Sequence, residues 1–167
     1  MNANIMKGLV AALVVTGLAL CACTPTYVEP PDPIPVIGNE IIAASGACID
    51  VQDGLTADGT PIILFQCVNS PNQKWFINNG VISESYGSCL DVMGGAATQG
   101  APIVLVTCNG APSQHWRVSK GQIIGVGGNC LDVMGAGSAT LAPLILASCK
   151  DIPSQKWTVQ WTRTPGG

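Results

Sequence analysis

The chain has 167 residues, enough for one ordinary domain and not clearly for two. It carries 7 basic against 10 acidic residues, and no stretch concentrates lysine or arginine, which argues against a nucleic-acid partner. Its positive mean hydropathy is inflated by the first 22 residues and is not a property of the remainder.

Those first residues read as an export signal. Lys7 is the positive start, and Gly8 to Leu20, "GLVAALVVTGLAL", is an apolar core too short to anchor in a bilayer. Met6-Lys7 is a more usual beginning than Met1, so Met6 is a candidate true start. The next residues, "LCAC" from Leu20 to Cys23, resemble a bacterial lipobox, with Leu three places before a cysteine and small Ala22 just before it. That resemblance implies cleavage after Ala22 and a lipid on Cys23. Cleavage before Cys21 would place bulky Leu20 where a small residue is wanted. The plainer alternative is an ordinary secretory signal with incidental cysteines. Thr24 follows Cys23, so no aspartate gives an inner-membrane retention signal, and an outer-membrane or cell-surface address is expected. Residues 1–22 contain one charged residue, Lys7, so their removal leaves 6 basic and 10 acidic residues. That balance favours solubility and does not name a partner.

From Thr24 to Asn39 there are five prolines, Pro25, Pro30, Pro31, Pro33 and Pro35. Such a run favours extended polyproline conformation and suits a semi-rigid tether. Residues 23–39 are therefore read as a lipidated cysteine plus spacer.

From Glu40 the chain repeats. Residues 40–80, 81–121 and 122–162 align without gaps as three units of 41. Cys48, Cys89 and Cys130 coincide, as do Asp50, Asp91 and Asp132, then Leu64, Leu105 and Leu146, then Cys67, Cys108 and Cys149. Each unit closes on Gln-x-Trp, at Gln73 and Trp75, Gln114 and Trp116, and Gln155 and Trp157. Helical periodicity is scarce. Apolar runs such as "PIILFQC", "PIVLVTC" and "PLILASC" are bounded by Gly, Pro and Asn, as buried strands are. "WFINNGVIS" and "WRVSKGQII" read as hairpins turning at Asn78-Asn79-Gly80 and Ser119-Lys120-Gly121.

The chain is therefore expected to be all-β, with about four short strands per unit and about twelve in all. A propeller blade has similar length, but propellers have at least four blades. Three units suit a closed barrel of pseudo-threefold symmetry. Its ends should pair with each other, the opening strand "EIIAAS" with the closing "WTVQW", leaving no open edge.

Beyond Cys21 and Cys23, six cysteines remain, separated alternately by 19 and 22 residues. An exported chain meets an oxidising environment, where disulfides form. Six cysteines allow fifteen pairings. The simplest that respects the symmetry is within each unit: Cys48–Cys67, Cys89–Cys108 and Cys130–Cys149. Each would close a loop of about 20 residues, worth on the order of 3 kcal/mol. A metal site is the rival reading, but C-x-x-C is missing from the repeats and His115 is the one histidine.

Three repeats of C-x-D, a second cysteine and Q-x-W together resemble the ricin B-type lectin domains. The resemblance covers residues 40–162, leaving 163–167 as a tail. It implies a β-trefoil. It also implies a sugar site combining a C-x-D aspartate that accepts from sugar hydroxyls, an aromatic two places before the second cysteine that stacks on the ring, and an asparagine before the Q-x-W glutamine. The first unit matches best, with Asp50, Phe65, Asn72 and Gln73. It departs from the pattern at Ile63, where many members are polar, and Phe lacks the polar edge of Tyr or Trp. The second unit keeps Asp91 and Gln114 but has Val106 and Ser113. The third keeps Asp132 and Gln155 but has Ala147 and Ser154. One competent site is therefore expected, with the later aspartates and glutamines weaker candidates. The aspartates could equally cap a turn and bind nothing.

The three tryptophans are expected in the core, with the glutamines partly buried and hydrogen-bonded beside the pocket. His115 aligns with Lys74 and Lys156, so that position reads as exposed. No nucleophile–base pair or acid pair is visible, so an enzyme, a cofactor and a metal are not expected. The leading expectation is a lectin-like module binding glycans, galactose-type by resemblance, and meeting the membrane through its lipid alone. The alternative is a protein-interaction scaffold whose sugar sites have decayed, such as the binding subunit of an envelope or toxin assembly.

Overall fold

The computed structural model describes residues 38–137 and 140–161, with the side chain of residue 161 left out. The export signal, Cys23, the tether up to residue 37 and the tail lie outside the described residues, as do the expectations placed on them.

Each repeat yields four strands. The first holds β1 (Asn39–Ala43), β2 (Cys48–Val51), β3 (Thr60–Phe65) and β4 (Phe76–Asn78). The second holds β5 (Val81–Ser83), β6 (Ser88–Val92), β7 (Ile103–Thr107) and β8 (Arg117–Ser119). The third holds β9 (Gln122–Ile124), β10 (Cys130–Val133), β11 (Leu144–Ala147) and β12 (Trp157–Trp161). The strands are short because Gly, Pro and Asn interrupt every apolar run.

The β4–β5 and β8–β9 hairpins turn where the sequence places them. Asn79 and Gly80 have φ of 49° and 81°, and Lys120 and Gly121 have 49° and 73°. With Asn78 opposite Val81, this is the two-residue turn with both central residues left-handed.

The outer strands close on themselves. β1 pairs antiparallel with β12 over its whole length, from Asn39 opposite Trp161 to Ala43 opposite Trp157. Single bridges, Asn39 with Trp75 and Val81 with His115, join the first and last outer strands of the first and second repeats. At the third, the Trp157 amide donates to the Gly121 carbonyl. The hairpins β2–β3, β6–β7 and β10–β11 form a second ring, joined by Thr60 opposite Leu105, Pro102 opposite Ile145 and Ile63 opposite Pro143. A six-stranded ring carrying a ring of three hairpins is the β-trefoil.

One core fills the space. Ile41, Ile49, Leu64, Leu90, Leu105, Leu131 and Leu146 are buried, with Trp75, Trp116 and Trp157 among them. Each indole Nε1 donates to the carbonyl 26 residues earlier, on Ile49, Leu90 and Leu131 at 3.1, 2.9 and 3.2 Å. A large ring is thus buried with its one polar group satisfied. The disulfides join the expected pairs, with Cα atoms 5.1, 5.0 and 4.9 Å apart.

One expectation fails. His115 is exposed as read, but Lys74 is 3% exposed and its Nζ lies 2.8 Å from Glu40 Oε1. The cause is the seam where the ring closes. The Gly38 backbone crosses so near Lys74 that a Cβ on Gly38 would stand 2.9 Å from the Lys74 Cβ. At the other two repeats the β4–β5 and β8–β9 turns pass less closely: a Cβ on Gly80 would stand 3.8 Å from His115 Nδ1, and one on Gly121 3.9 Å from Lys156 Cδ.

Candidate functional site

The β2–β3 hairpin builds the site. Asp50 lies opposite Ile63, and Cys48 opposite Phe65. Residues two apart share a face, so Asp50, Ile63 and Phe65 emerge together, while Ile49, Val51, Ile62 and Leu64 point to the core. Pro71, suited to the first position of a short helical turn, starts the turn Pro71–Gln73 that brings Asn72 and Gln73 back to this face.

The result is an open cleft of about 210 Å³. Asp50, Asp53, Ser70 and Asn72 supply its polar side, and Ile63, Phe65, Val68 and Leu141 its apolar side. Phe65 is half-buried and its ring lines the cleft rather than the core. Asp53 and Leu141 were not anticipated. Asp53 stands on left-handed backbone, φ 56°, where the aligned residues are Gly94 and Gly135. Leu141 arrives from the third repeat.

Hydrogen bonds assign the roles. Asn72 Nδ2 donates to Asp50 Oδ1 at 2.8 Å and to the Val51 carbonyl at 3.1 Å. Both its N–H groups are engaged, so its own carbonyl is what it can offer a ligand. Gln73 is 0% exposed. Its Nε2 donates to Asp50 Oδ2 and to the Gln66 carbonyl, both at 2.8 Å, and its Oε1 accepts the Val68 amide at 2.9 Å. Gln73 is not among the cleft's lining residues, and it acts on the cleft by fixing Asp50.

The same glutamine latch recurs. Gln114 holds Asp91 Oδ2 at 2.9 Å and Gln155 holds Asp132 Oδ2 at 2.8 Å. What differs is the other carboxylate oxygen. With Ser113 in place of asparagine, Asp91 Oδ1 is buried without a protein partner. Asp132 Oδ1 accepts the Val133 amide at 2.7 Å, the turn-capping role. Opposite Cys89 and Cys130 stand Val106 and Ala147, so neither repeat supplies a ring.

Burial raises the Asp50 carboxyl above the usual 3.8. The Gln73 and Asn72 amides pull in the other direction, and the charge of Asp53 adds to the rise. Among the described residues no cluster of His, Cys, Asp and Glu could hold a metal ion.

A family profile described as "Ricin-type beta-trefoil lectin domain" matches residues 38–157. No curated protein matches. Solved structures do. A designed threefold-symmetric protein, ThreeFoil, is 24% identical, with 73% of this chain and 96% of that one covered and a TM-score of 0.66. The C-half of an earthworm R-type lectin, solved with GalNAc, is 20% identical, with 74% and 98% covered and a TM-score of 0.64. A non-toxic homologue of type II ribosome-inactivating proteins from Momordica charantia (bitter gourd), solved with α-methyl-D-galactoside, is 26% identical, with 73% and 46% covered and a TM-score of 0.65.

Proposed function

The chain belongs to the ricin-type β-trefoil lectin family, and from that premise we propose that it is a carbohydrate-binding module with one competent site, in the first repeat. The observation that carries this reading is that Asp50, Phe65 and Asn72 open onto one cleft. A hexose has an apolar face and a rim of hydroxyls. Phe65 meets the first, and the lone pairs left on Asp50 together with the Asn72 carbonyl accept from the second. The earthworm and bitter-gourd proteins were solved with GalNAc and a galactoside, so galactose-type glycans are the first ligands to try. Without a ring at Val106 and Ala147, the other repeats lose stacking worth about 1 kcal/mol, or several-fold in affinity.

On the sequence alone, the module is exported, carries lipid on Cys23 and is displayed at the outer membrane or cell surface behind its proline-rich spacer. One shallow site binds weakly. Many copies on one surface would bind multivalently.

The second reading is a protein-interaction scaffold. It is favoured by the apolar rim of the same cleft, where Val68 and Leu141 are more than half exposed. A glycan array probed with the oxidised protein in multivalent form, beside Asp50→Ala, separates the two. Binding that disappears in Asp50→Ala is expected. A folded protein that binds no glycan would leave the scaffold reading standing instead.

A further inference from the structure

The three repeats depart from symmetry at the loop that reaches across each repeat boundary, and the departure falls on the cleft. Residues 59, 100 and 141 occupy the same place in successive repeats. All three are left-handed, with φ of 89° at Gly59, 80° at Gly100 and 70° at Leu141. All three donate their amide to the next hairpin: Gly59 to the Leu105 carbonyl, Gly100 to Leu146 and Leu141 to Leu64, at 2.7, 2.8 and 2.7 Å. The backbone is the same each time. Two repeats use glycine, which adopts this conformation freely, and the third uses leucine, for which a positive φ is a steric penalty.

Burial does not compensate that penalty, because Leu141 is 60% exposed. The neighbouring residue does not explain it either. Asp58 accepts the amide and hydroxyl of Thr107, and Gln99 accepts those of Ser148, clasping the first two boundaries. Among the described residues no corresponding bond joins Thr140 to Gln66 at the third. What Leu141 does is line the cleft of Phe65.

We infer that Leu141 is a specificity-determining residue, contributed by the third repeat to the first-repeat site, and that it selects saccharides presenting a methyl group beside the hydroxyl rim. The inference rests on the lectin reading above and deepens it. Asp50 and Asn72 hold the hydroxyls, Phe65 covers the ring face, and Leu141 adds apolar surface to the same cleft. A methyl group facing Leu141 gains from the apolar contact, whereas a hydroxyl in the same place gains nothing from it. An N-acetyl group and a 6-deoxy carbon both supply that methyl.

The test titrates the full oxidised protein and Leu141→Gly with D-galactose, N-acetyl-D-galactosamine and 6-deoxy-D-galactose, and records the melting temperature of both proteins. The native protein is expected to bind at least one methyl-bearing sugar roughly three- to tenfold more tightly than galactose, about what contact with a single methyl group contributes. The sugar that wins identifies which edge faces Leu141. Leu141→Gly is expected to abolish the preference and to melt at or above the native temperature because the backbone strain is relieved. A native protein that binds all three equally overturns the inference while the lectin reading survives. So does a variant that keeps the preference, or one that melts lower, which would make Leu141 a packing residue. A native protein that binds none of the three sugars removes the lectin reading and this inference together.

Discussion

Asp50 is the residue on which the proposed site turns, and its surroundings set a pH dependence. Its carboxyl titrates above 3.8 because burial outweighs the two amides that donate to it. The sign for the free protein follows from that direction. A carboxyl raised on folding favours the folded state at low pH, and this contribution is lost as pH rises through the folded value. Ligand binding runs the other way, because the ionised carboxylate is the better acceptor. Sugar affinity is therefore expected to be constant near neutrality and to decline on acidification while the pH is still above 3.8. Affinity measured from pH 7 downward checks this, and no decline until the ordinary aspartate range would contradict it. Asp50, Phe65 and Asn72 were legible in the sequence through the resemblance to ricin B-type domains, and the pairing of β2 with β3 accounts for Asp50, Ile63 and Phe65 sharing a face. The role of Gln73 was not, since spacing cannot show that all its polar groups are used internally. Asp53 and Leu141 left one faint trace, each interrupting a column of glycines in the 41-residue register.

At the scale of elements, the pairing of β1 with β12 follows from counting strands, because each would otherwise be an unpaired edge. The consequence for Lys74 did not follow, because it depends on where the chain entering β1 crosses the ring. The pair formed by Lys74 and Glu40 is 3% and 13% exposed. Removing one partner from a buried pair strands the other charge, whereas replacing both with apolar residues of similar size is often nearly neutral. Lys74→Ala is expected to destabilise the protein by about 3 kcal/mol, and the double change Lys74→Met with Glu40→Leu by less than about 1 kcal/mol. Urea unfolding of the two variants beside the native protein decides it. Equal losses would show that the pair itself, rather than the stranded charge, governs the seam.

For the whole molecule, one 41-residue unit used three times explains the ring, the hairpin cap, the three buried tryptophans and the three disulfides. Repetition made the architecture readable from residue spacing. The same repetition makes function hard to read, because a lectin scaffold keeps Asp, Gln and Trp in every repeat for structural reasons. Asp132 accepts its own neighbour's amide and needs no ligand. What singles out the first repeat is what it has beyond the shared frame: Phe65, Asn72, Asp53 and the reach of Leu141. The most direct test is a titration of the isotope-labelled protein with N-acetyl-D-galactosamine and D-galactose, followed residue by residue by NMR. Shifts should concentrate at Asp50, Asp53, Phe65, Asn72 and Leu141, with Asp91 and Asp132 unmoved. Equal shifts in all three repeats, or none in the first, would contradict a single site in the first repeat.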